Sequence, residues 1–459
     1  MNGFDDHEFI DGSALGPYFV GKEKIMNVRE AAFLSLMKCS AGGKYSNLEV
    51  NSAIKKYGFA GNDRALFTAL VYGTIEKRIT IDYIIGKFSD KPINRIEPKL
   101  LEILRLGVYQ ILFLDRIPDS AACNESVELA KFHTHKGTAG FVNGVLRHIA
   151  REKNNIEYPP KGCLEYYSVK YACPKWLCEM WLAMYGNEKS EKILEGINRN
   201  PHITLRVNTL KTNRVELAEI LHKSGISCCD TVLSPFGLTL DAFTPISEVT
   251  PVAEGLCFVQ DEASQLCAMA MGAVRGDFVI DTCSCPGGKS FGMAMDMEND
   301  GEILSFDLHE SKLSLVKSGA ERLGIDMIST GVQNGAKRKE ELIGKADKVL
   351  CDVPCSGLGV IAKKPDLRHK APDDIERLPD IQYSILENAS HYVKQGGYLL
   401  YSTCTLNKKE NEDNRRKFLD NHTEFEATAE NMPFGKSEVT FFPDEYGTDG
   451  FYMAKFKKK

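Results

Sequence analysis

The chain has 459 residues, of which 43% are hydrophobic and 26% charged, and a formal net charge of −6. That composition is ordinary for a soluble globular protein, and the length exceeds what one core organises, so about two to four domains are expected. No apolar run approaches the roughly 20 residues that span a bilayer. Residues 1–8 are acidic and lack the basic-then-apolar order of an export signal, so a cytoplasmic protein is expected. Fourteen cysteines in such a chain read as reduced thiols, and the absence of paired Cys-x-x-Cys knuckles argues against a structural zinc site.

Residues up to about Lys24 show no periodicity. From 28 to 151 apolar residues recur at three and four spacing, as in Ala31-Ala32-Phe33-Leu34-Ser35-Leu36 and Leu100-Leu101-Glu102-Ile103-Leu104-Arg105-Leu106, which predicts an all-helical domain over 25–152. Its Arg64, Arg78, Arg147 and Arg151 read either as phosphate contacts or as solvated ion-pair partners. The polar, Pro-Pro-containing stretch 155–161 reads as a linker. Helical spacing at 176–185, 190–198 and 215–223, with strand-like runs at 202–207 and 238–240, predicts a small α/β module over 162–251 with Arg206 and Lys211 on a basic edge. Asp261 and Glu262 read as helix-start acids.

From 252 to 459 strands (278–281, 303–307, 327–332, 348–351, 398–402) alternate with helices (313–323, 375–393), which predicts a mostly parallel, Rossmann-like sheet covered on both faces. Ligands of such sheets sit at the carboxyl ends of the strands. That rule places Cys283, Asp307, Asn334, Asp352, Cys355 and Cys404 along one edge. The first strand runs Phe278-Val279-Ile280-Asp281 and breaks into Thr282-Cys283-Ser284-Cys285-Pro286-Gly287-Gly288-Lys289-Ser290, a turn whose glycines allow close backbone approach to a ligand. Gly288-Lys289-Ser290 imitates the end of a phosphate-binding P-loop, but that pattern needs a glycine where Cys283 stands. Asp307 closes the second strand, where doubly wound nucleotide-binding sheets carry their ribose acid.

Net negative charge does not suggest nucleic-acid binding unless charge is segregated. Two basic clusters offer segregation: Lys363, Lys364, Arg368, His369 and Lys370, and the closing Lys455, Lys457, Lys458 and Lys459. Each also reads as a solvated face or tail.

Residues 281–290, the run Asp352-Val353-Pro354-Cys355-Ser356-Gly357-Leu358-Gly359, and Tyr401-Ser402-Thr403-Cys404-Thr405 with Glu410-Asn411-Glu412 resemble the motifs of the S-adenosylmethionine-dependent RNA cytosine-5 methyltransferases, the NOL1/NOP2/Sun family. Arg206-Val207-Asn208, Gln260-Asp261-Glu262-Ala263-Ser264 and Thr448-Asp449-Gly450-Phe451-Tyr452 also resemble family signatures. Asp63-Arg64-Ala65-Leu66 and Phe141-Val142-Asn143-Gly144-Val145-Leu146-Arg147 resemble the NusB-type RNA-binding domain fused to one branch, which modifies small-subunit ribosomal RNA.

The resemblance implies S-adenosyl-L-methionine as cofactor, RNA as partner, small-subunit (16S) ribosomal RNA as substrate, and a monomer without metal. The small module would lean on the catalytic domain and help clamp RNA. It also implies Cys404 as nucleophile on carbon-6 of cytosine, Cys355 as the residue that helps release the methylated base, and Asp352 against the ring nitrogen and amino group. The turn Cys283, Ser284, Cys285, Pro286, Gly287, Gly288 and Lys289 would wrap the methionine and ribose, with Asp352 beside it. Asp307 would accept from the ribose hydroxyls, and Asn334 would meet the adenine. An unperturbed thiol is mostly protonated at neutral pH, and Lys289 is the group expected to favour the thiolate. Two departures stand out: Ser284 and Cys285 replace the usual two alanines, and Asn334 replaces an aspartate. The alternatives are the same reaction on transfer RNA and a catalytically silent RNA-binding assembly factor.

Overall fold

The computed structural model describes residues 26–40, 46–135, 137–240, 244 and 246–459; the aperiodic stretch up to Lys24 lies outside them. The helical part comes first: α1 (Val28–Ser40), α2 (Ser46–Tyr57), α3 (Gly61–Glu76), α4 (Arg78–Phe88), α5 (Pro98–Phe113), α6 (Asp119–His133) and α7 (Thr138–Glu152). Helix α5 is the hub. It is apolar almost all round and starts on Pro98, whose missing N–H has no helical partner to lose there, and it packs against α1, α3, α4, α6 and α7. Helices α8 (Leu164–Lys170) and α9 (Lys175–Gly196) follow, and α9 breaks at Gly186, between its two predicted halves.

A four-stranded antiparallel sheet comes next, in the order β2 (Cys228–Asp230), β3 (Gly237–Leu240), β1 (Ile203–Val207), β4 (Cys257–Val259), with α10 (Arg214–Lys223) and α11 (Thr250–Ala253) alongside. Strand β4 pairs with β1 through Val207↔Cys257, so this sheet runs past the expected division at 251/252. Arg206 is not on a basic edge. It is fully buried, with Nη2 donating to Asp296 Oδ1 at 2.9 Å and to Gly292 O at 3.3 Å. A buried guanidinium needs such a partner, and this one fastens the small sheet to the large domain. Lys211 does lie at the surface, where its Nζ donates to Arg322 O at 2.9 Å.

The large sheet comprises β5 (Phe278–Asp281), β6 (Glu302–Asp307), β7 (Ile328–Val332), β8 (Ala346–Asp352), β9 (Val393–Thr403), β10 (Phe425–Ala427), β11 (Glu438–Phe441) and β12 (Phe451–Lys458). The order is β10-β12-β9-β8-β5-β6-β7, with β11 also on β12. Strands β5 to β9 are mutually parallel, and β12 runs antiparallel to β9. The helices of this domain are α12 (Glu262–Met271), α13 (Gly288–Asp296), α14 (Glu310–Leu323), α15 (Asp373–Glu376), α16 (Leu378–Tyr392), α17 (Glu412–Asn421) and α18 (Pro443–Tyr446). The expected helix over 375–393 is therefore two pieces, α15 and α16. Asp261 caps α12 by accepting from the Ala263 N–H, as a helix-start acid does.

The closing lysines are not a tail. Lys455, Lys457 and Lys458 belong to β12, and Lys455 is fully buried, its Nζ donating to Ala270 O at 2.7 Å, Glu430 O at 2.9 Å and Met271 O at 3.3 Å. Three carbonyls, two of them at the end of α12, satisfy a charge that the run of lysines suggested was solvated. No helix among the described residues is long and apolar enough to cross a membrane.

Candidate active site

The strand order sets the order of the polar groups along the carboxyl edge. Reading across β9, β8, β5, β6 and β7, the strands end at or just before Cys404, Asp352, Asp281 with the Cys283 turn, Asp307, and Asn334. The residues singled out from sequence therefore meet at one edge, with the thiols at one end and Asn334 at the other. Asn334 is exposed, its Oδ1 accepting from the Ala336 N–H at 3.0 Å. Asp307 Oδ1 accepts from the His309 N–H at 2.9 Å.

The turn after β5 is held from both sides. The Ser284 N–H donates to Phe306 O at 2.8 Å, and the Thr282 N–H to Leu350 O at 3.0 Å. Gly287 precedes α13 with φ 107°, in the left-handed region, and a Cβ there would overlap the Phe291 ring. Only glycine fits. Asp281 is buried at the strand end and accepts from Ser290 Oγ at 2.7 Å; burial pushes its pKa up to about 7.

At the thiol end, Cys355 Sγ and Cys404 Sγ are 3.1 Å apart. Lys289 Nζ donates to Asp352 Oδ2 at 2.6 Å, and Ser402 Oγ donates to Asp352 Oδ1 at 2.7 Å. The Cys404 thiol is held below its ordinary value, first by the hydrogen bond from Cys355, with Lys289 and Lys364 adding to it against burial and the Asp352 charge. Lys289, the expected activator, is among the groups that lower the Cys404 thiol, and its Nζ is paired with Asp352. The Cys355 thiol is pushed up by the same sulfur–sulfur hydrogen bond, by burial and by the nearby Glu410. When the pair has lost one proton, its surroundings keep the other on Cys355.

Two residues quoted only as parts of motifs prove central to the geometry. Glu410 is fully buried and accepts from the Ser356 N–H at 2.9 Å, Gln382 Nε2 at 2.7 Å and Asn407 Nδ2 at 3.0 Å, tying the Cys355 loop to the chain after Cys404. Gln260 is 6% exposed, with neither side-chain amide atom bonded. A Cβ on Gly288 would lie 3.3 Å from its Nε2, so this unpaired amide borders the glycine turn. Burial of a carboxylate or an unpaired amide runs against their ordinary surface preference, and nothing in the local sequence announces it.

The first basic cluster is dispersed. Lys363 Nζ bridges Asp261 at 2.7 Å and Asp449 at 2.9 Å, Lys370 Nζ donates to Ser356 O at 2.9 Å, and Arg368 is fully buried. Opposite charges and carbonyls take up most of what the sequence offered to phosphate. In the helical domain Arg78 Nη2 donates to Ser40 Oγ at 2.9 Å, Arg147 Nε to Asn143 Oδ1 at 2.7 Å, and Arg151 pairs with Glu152 at 3.3 Å; Arg64 lies 3.9 Å from Glu248. All fourteen cysteines are free thiols.

A run of parallel strands whose carboxyl edge carries a glycine turn, an acid on the next strand and two facing thiols places this domain among the α/β folds that keep their ligand sites at that edge. A model described as 16S rRNA methyltransferase RsmB/F matches residues 268–457, a NusB family model residues 26–151, and an RsmF/B-like ferredoxin-like domain residues 173–247. A probable ribosomal RNA small subunit methyltransferase B of Bacillus subtilis is 38% identical over 451 residues, covering 95% of this chain and 100% of the relative. Its namesake in Synechocystis is 34% identical over 455 residues, again 95% and 100%. The crystal structure of PH0851 superposes with a TM-score of 0.79 at 28% identity, over 95% of this chain and 100% of that one. The chain belongs to the RsmB/F family of methyltransferases.

Proposed function

We propose that this chain is an S-adenosyl-L-methionine-dependent RNA cytosine-5 methyltransferase acting on small-subunit ribosomal RNA through a covalent cysteine–cytosine adduct. The observation that carries the reading is the Cys355–Cys404 pair, 3.1 Å apart beside the Lys289–Asp352 ion pair. Family membership, the names of the relatives and the NusB-type domain support the RNA class.

The cofactor fits the residues present. The buried Gln260 amide beside the glycine turn and the buried Ser284 hydroxyl within it both lack partners, as groups awaiting a polar ligand do. Residues Cys283 to Lys289 would hold the methionine and ribose portions, Asp307 the ribose hydroxyls and Asn334 the adenine, through neutral hydrogen bonds in place of a charge. When bound, S-adenosylmethionine supplies an electrophilic methyl group.

Carbon-5 of cytosine is a weak nucleophile until the ring is attacked at carbon-6. The Cys404 thiolate forms that bond, and the ring electrons move toward the nitrogen–carbonyl side, where Asp352 would face the ring nitrogen and amino group and Lys289 would balance the charge. Carbon-5 then takes the methyl group. A base takes the carbon-5 proton, the electrons of that bond re-form the ring double bond, and the carbon–sulfur bond breaks with its electron pair returning to Cys404. Cys355, 3.1 Å from Cys404, is the residue assigned to help that release. The target base must leave any stack to reach Cys404, which favours a loop or bulge.

The test is transfer of labelled methyl from S-adenosylmethionine to purified ribosomal and transfer RNA by wild type, Cys404→Ala and Cys355→Ala. Label in small-subunit RNA that disappears with Cys404→Ala, with a trapped adduct for Cys355→Ala, supports the reading. Label in transfer RNA alone moves the substrate, and cofactor binding without transfer to any RNA sinks the enzymatic assignment.

A further inference from the structure

The segment that follows the Cys355 motif packs against the helical domain before the chain continues into α15. Residues Pro365–His369 form a short 3-10 turn. Within it Arg368 is 0% exposed, and its Nη1 donates to Glu76 O at 3.0 Å and Ala172 O at 3.1 Å, while Nη2 reaches Ile197 O at 3.4 Å. Glu76 ends α3, Ala172 lies between α8 and α9, and Ile197 follows α9. One guanidinium thus collects carbonyls from the helical domain and from both ends of the α9 region. Among the described residues its hydrogen-bond acceptors are these carbonyls and Asn198 Oδ1 at 3.4 Å, with no carboxylate, and its Nε has none.

The flanking residues repeat the pattern. His369 Nε2 lies 3.1 Å from Ile75 O, and Asp366 accepts the Ser46 N–H at 3.2 Å, together with the Ser46 hydroxyl, at the start of α2. At the other end of the segment, Lys370 Nζ donates to the carbonyl of Ser356 at 2.9 Å, the residue after Cys355. Burying a guanidinium whose donors meet no carboxylate is unfavourable unless other fixed acceptors meet them. With only its two terminal nitrogens engaged, Arg368 demands one relative placement of the helical domain, the α9 region and its own loop.

We propose that residues 365–370 are a latch: seating Arg368 in the helical domain sets the position of the Cys355 loop, which makes Arg368 and Lys370 positioning residues for release of the methylated base. The inference rests on the role given to Cys355 above. A merely structural Arg368 would hold the domains together without altering how the two thiols share the reaction. A latch changes the balance between adduct formation and adduct breakdown.

The experiment uses the full chain as Arg368→Met, Arg368→Lys and Lys370→Met, with wild type and Cys355→Ala run alongside. Turnover with small-subunit RNA, the fraction of RNA held covalently on denaturing gels, and S-adenosylmethionine affinity by calorimetry are measured together. The latch predicts wild-type cofactor affinity for Arg368→Met, turnover lower by about 10- to 100-fold, the scale of a misplacement of about 1 Å, and a covalent fraction above wild type. Arg368→Lys restores part of both, and Lys370→Met shifts the covalent fraction in the same direction. A covalent fraction equal to wild type in Arg368→Met overturns the latch, whatever its turnover. Should Arg368→Met not fold, a wild-type covalent fraction in Lys370→Met overturns it instead. An adduct in Cys355→Ala with none added by the latch variants sinks the latch alone; no adduct in Cys355→Ala sinks the role of Cys355 and the latch with it.

Discussion

Glu410 accepts the backbone N–H of Ser356 at 2.9 Å across 54 residues of chain, from a position with no exposure to solvent. The same carboxyl group accepts from Gln382 and Asn407, so both thiol loops hang from one buried side chain. Glu410→Ala leaves these buried donors without their acceptor, and destabilisation of about 1–3 kcal/mol is expected for each such group that water cannot reach. Denaturant unfolding measures that loss. Turnover is expected to drop by about 100-fold, because the spacing of the sulfurs is no longer enforced. A variant as active as wild type would show that the spacing is held by something else.

The thiol pair predicts a pH signature. Cys404 is depressed chiefly by the Cys355 hydrogen bond, so removing that donor in Cys355→Ala moves the Cys404 titration upward. Alkylation of Cys404 followed against pH checks this. The midpoint is expected above that of wild type; an unchanged midpoint would transfer the main role back to Lys289.

Buried Asp281 makes stability fall as pH rises. Its folded pKa, about 7, exceeds the ordinary 3.8, so between these values the folded state binds more protons than the unfolded state. The contribution is full below about pH 4 and is lost as pH rises through about 7. Thermal unfolding from about pH 5 to 8 is expected to show a decline that Asp281→Asn reduces. Asp449, raised by burial and by Asp261 to about 7, acts in the same direction, so the decline should not vanish altogether. A pH profile that Asp281→Asn leaves untouched would remove Asp281 as its source.

Gly359 joins two motifs that are far apart in sequence. Its N–H donates to Cys404 O at 3.0 Å, the Gly450 N–H donates to Gly359 O at 2.8 Å, and a Cβ on Gly359 would overlap Gly450 O. Gly359→Ala must therefore separate the two backbones, and a loss of about 1–3 kcal/mol, the range of overpacked sites, is expected. Activity should fall more steeply than stability, since the same Cβ would also crowd the Cys404 carbonyl oxygen, at 2.9 Å. Unfolding midpoints compared with methyl transfer at a temperature where the variant is folded would separate the two effects.

The strands that carry the site were readable because each is a short apolar run ending in an acid, a cysteine or a glycine turn. Buried parallel strands announce themselves locally in this way, and the carboxyl-end rule then collects Cys283, Asp307, Asn334, Asp352, Cys355 and Cys404 on one edge. The helical domain was readable through the three-and-four spacing around Leu100 to Val108. What these local patterns could not convey was the fate of the charged side chains. Arg206, Arg368 and Lys455 looked like surface or tail residues, because charge is ordinarily solvated. Their partners lie in distant parts of the chain, such as Asp296 for Arg206 and Ala172 for Arg368. The strand order, the pairing of β4 with the small sheet and the 3.1 Å approach of Cys355 to Cys404 are likewise tertiary. Local sequence determines which segments become strands, turns and helices, since propensity and periodicity act over a few residues. Which charges are buried, and which thiol keeps the proton, depends on what the fold brings within a few ångströms, and that only the packed structure decided.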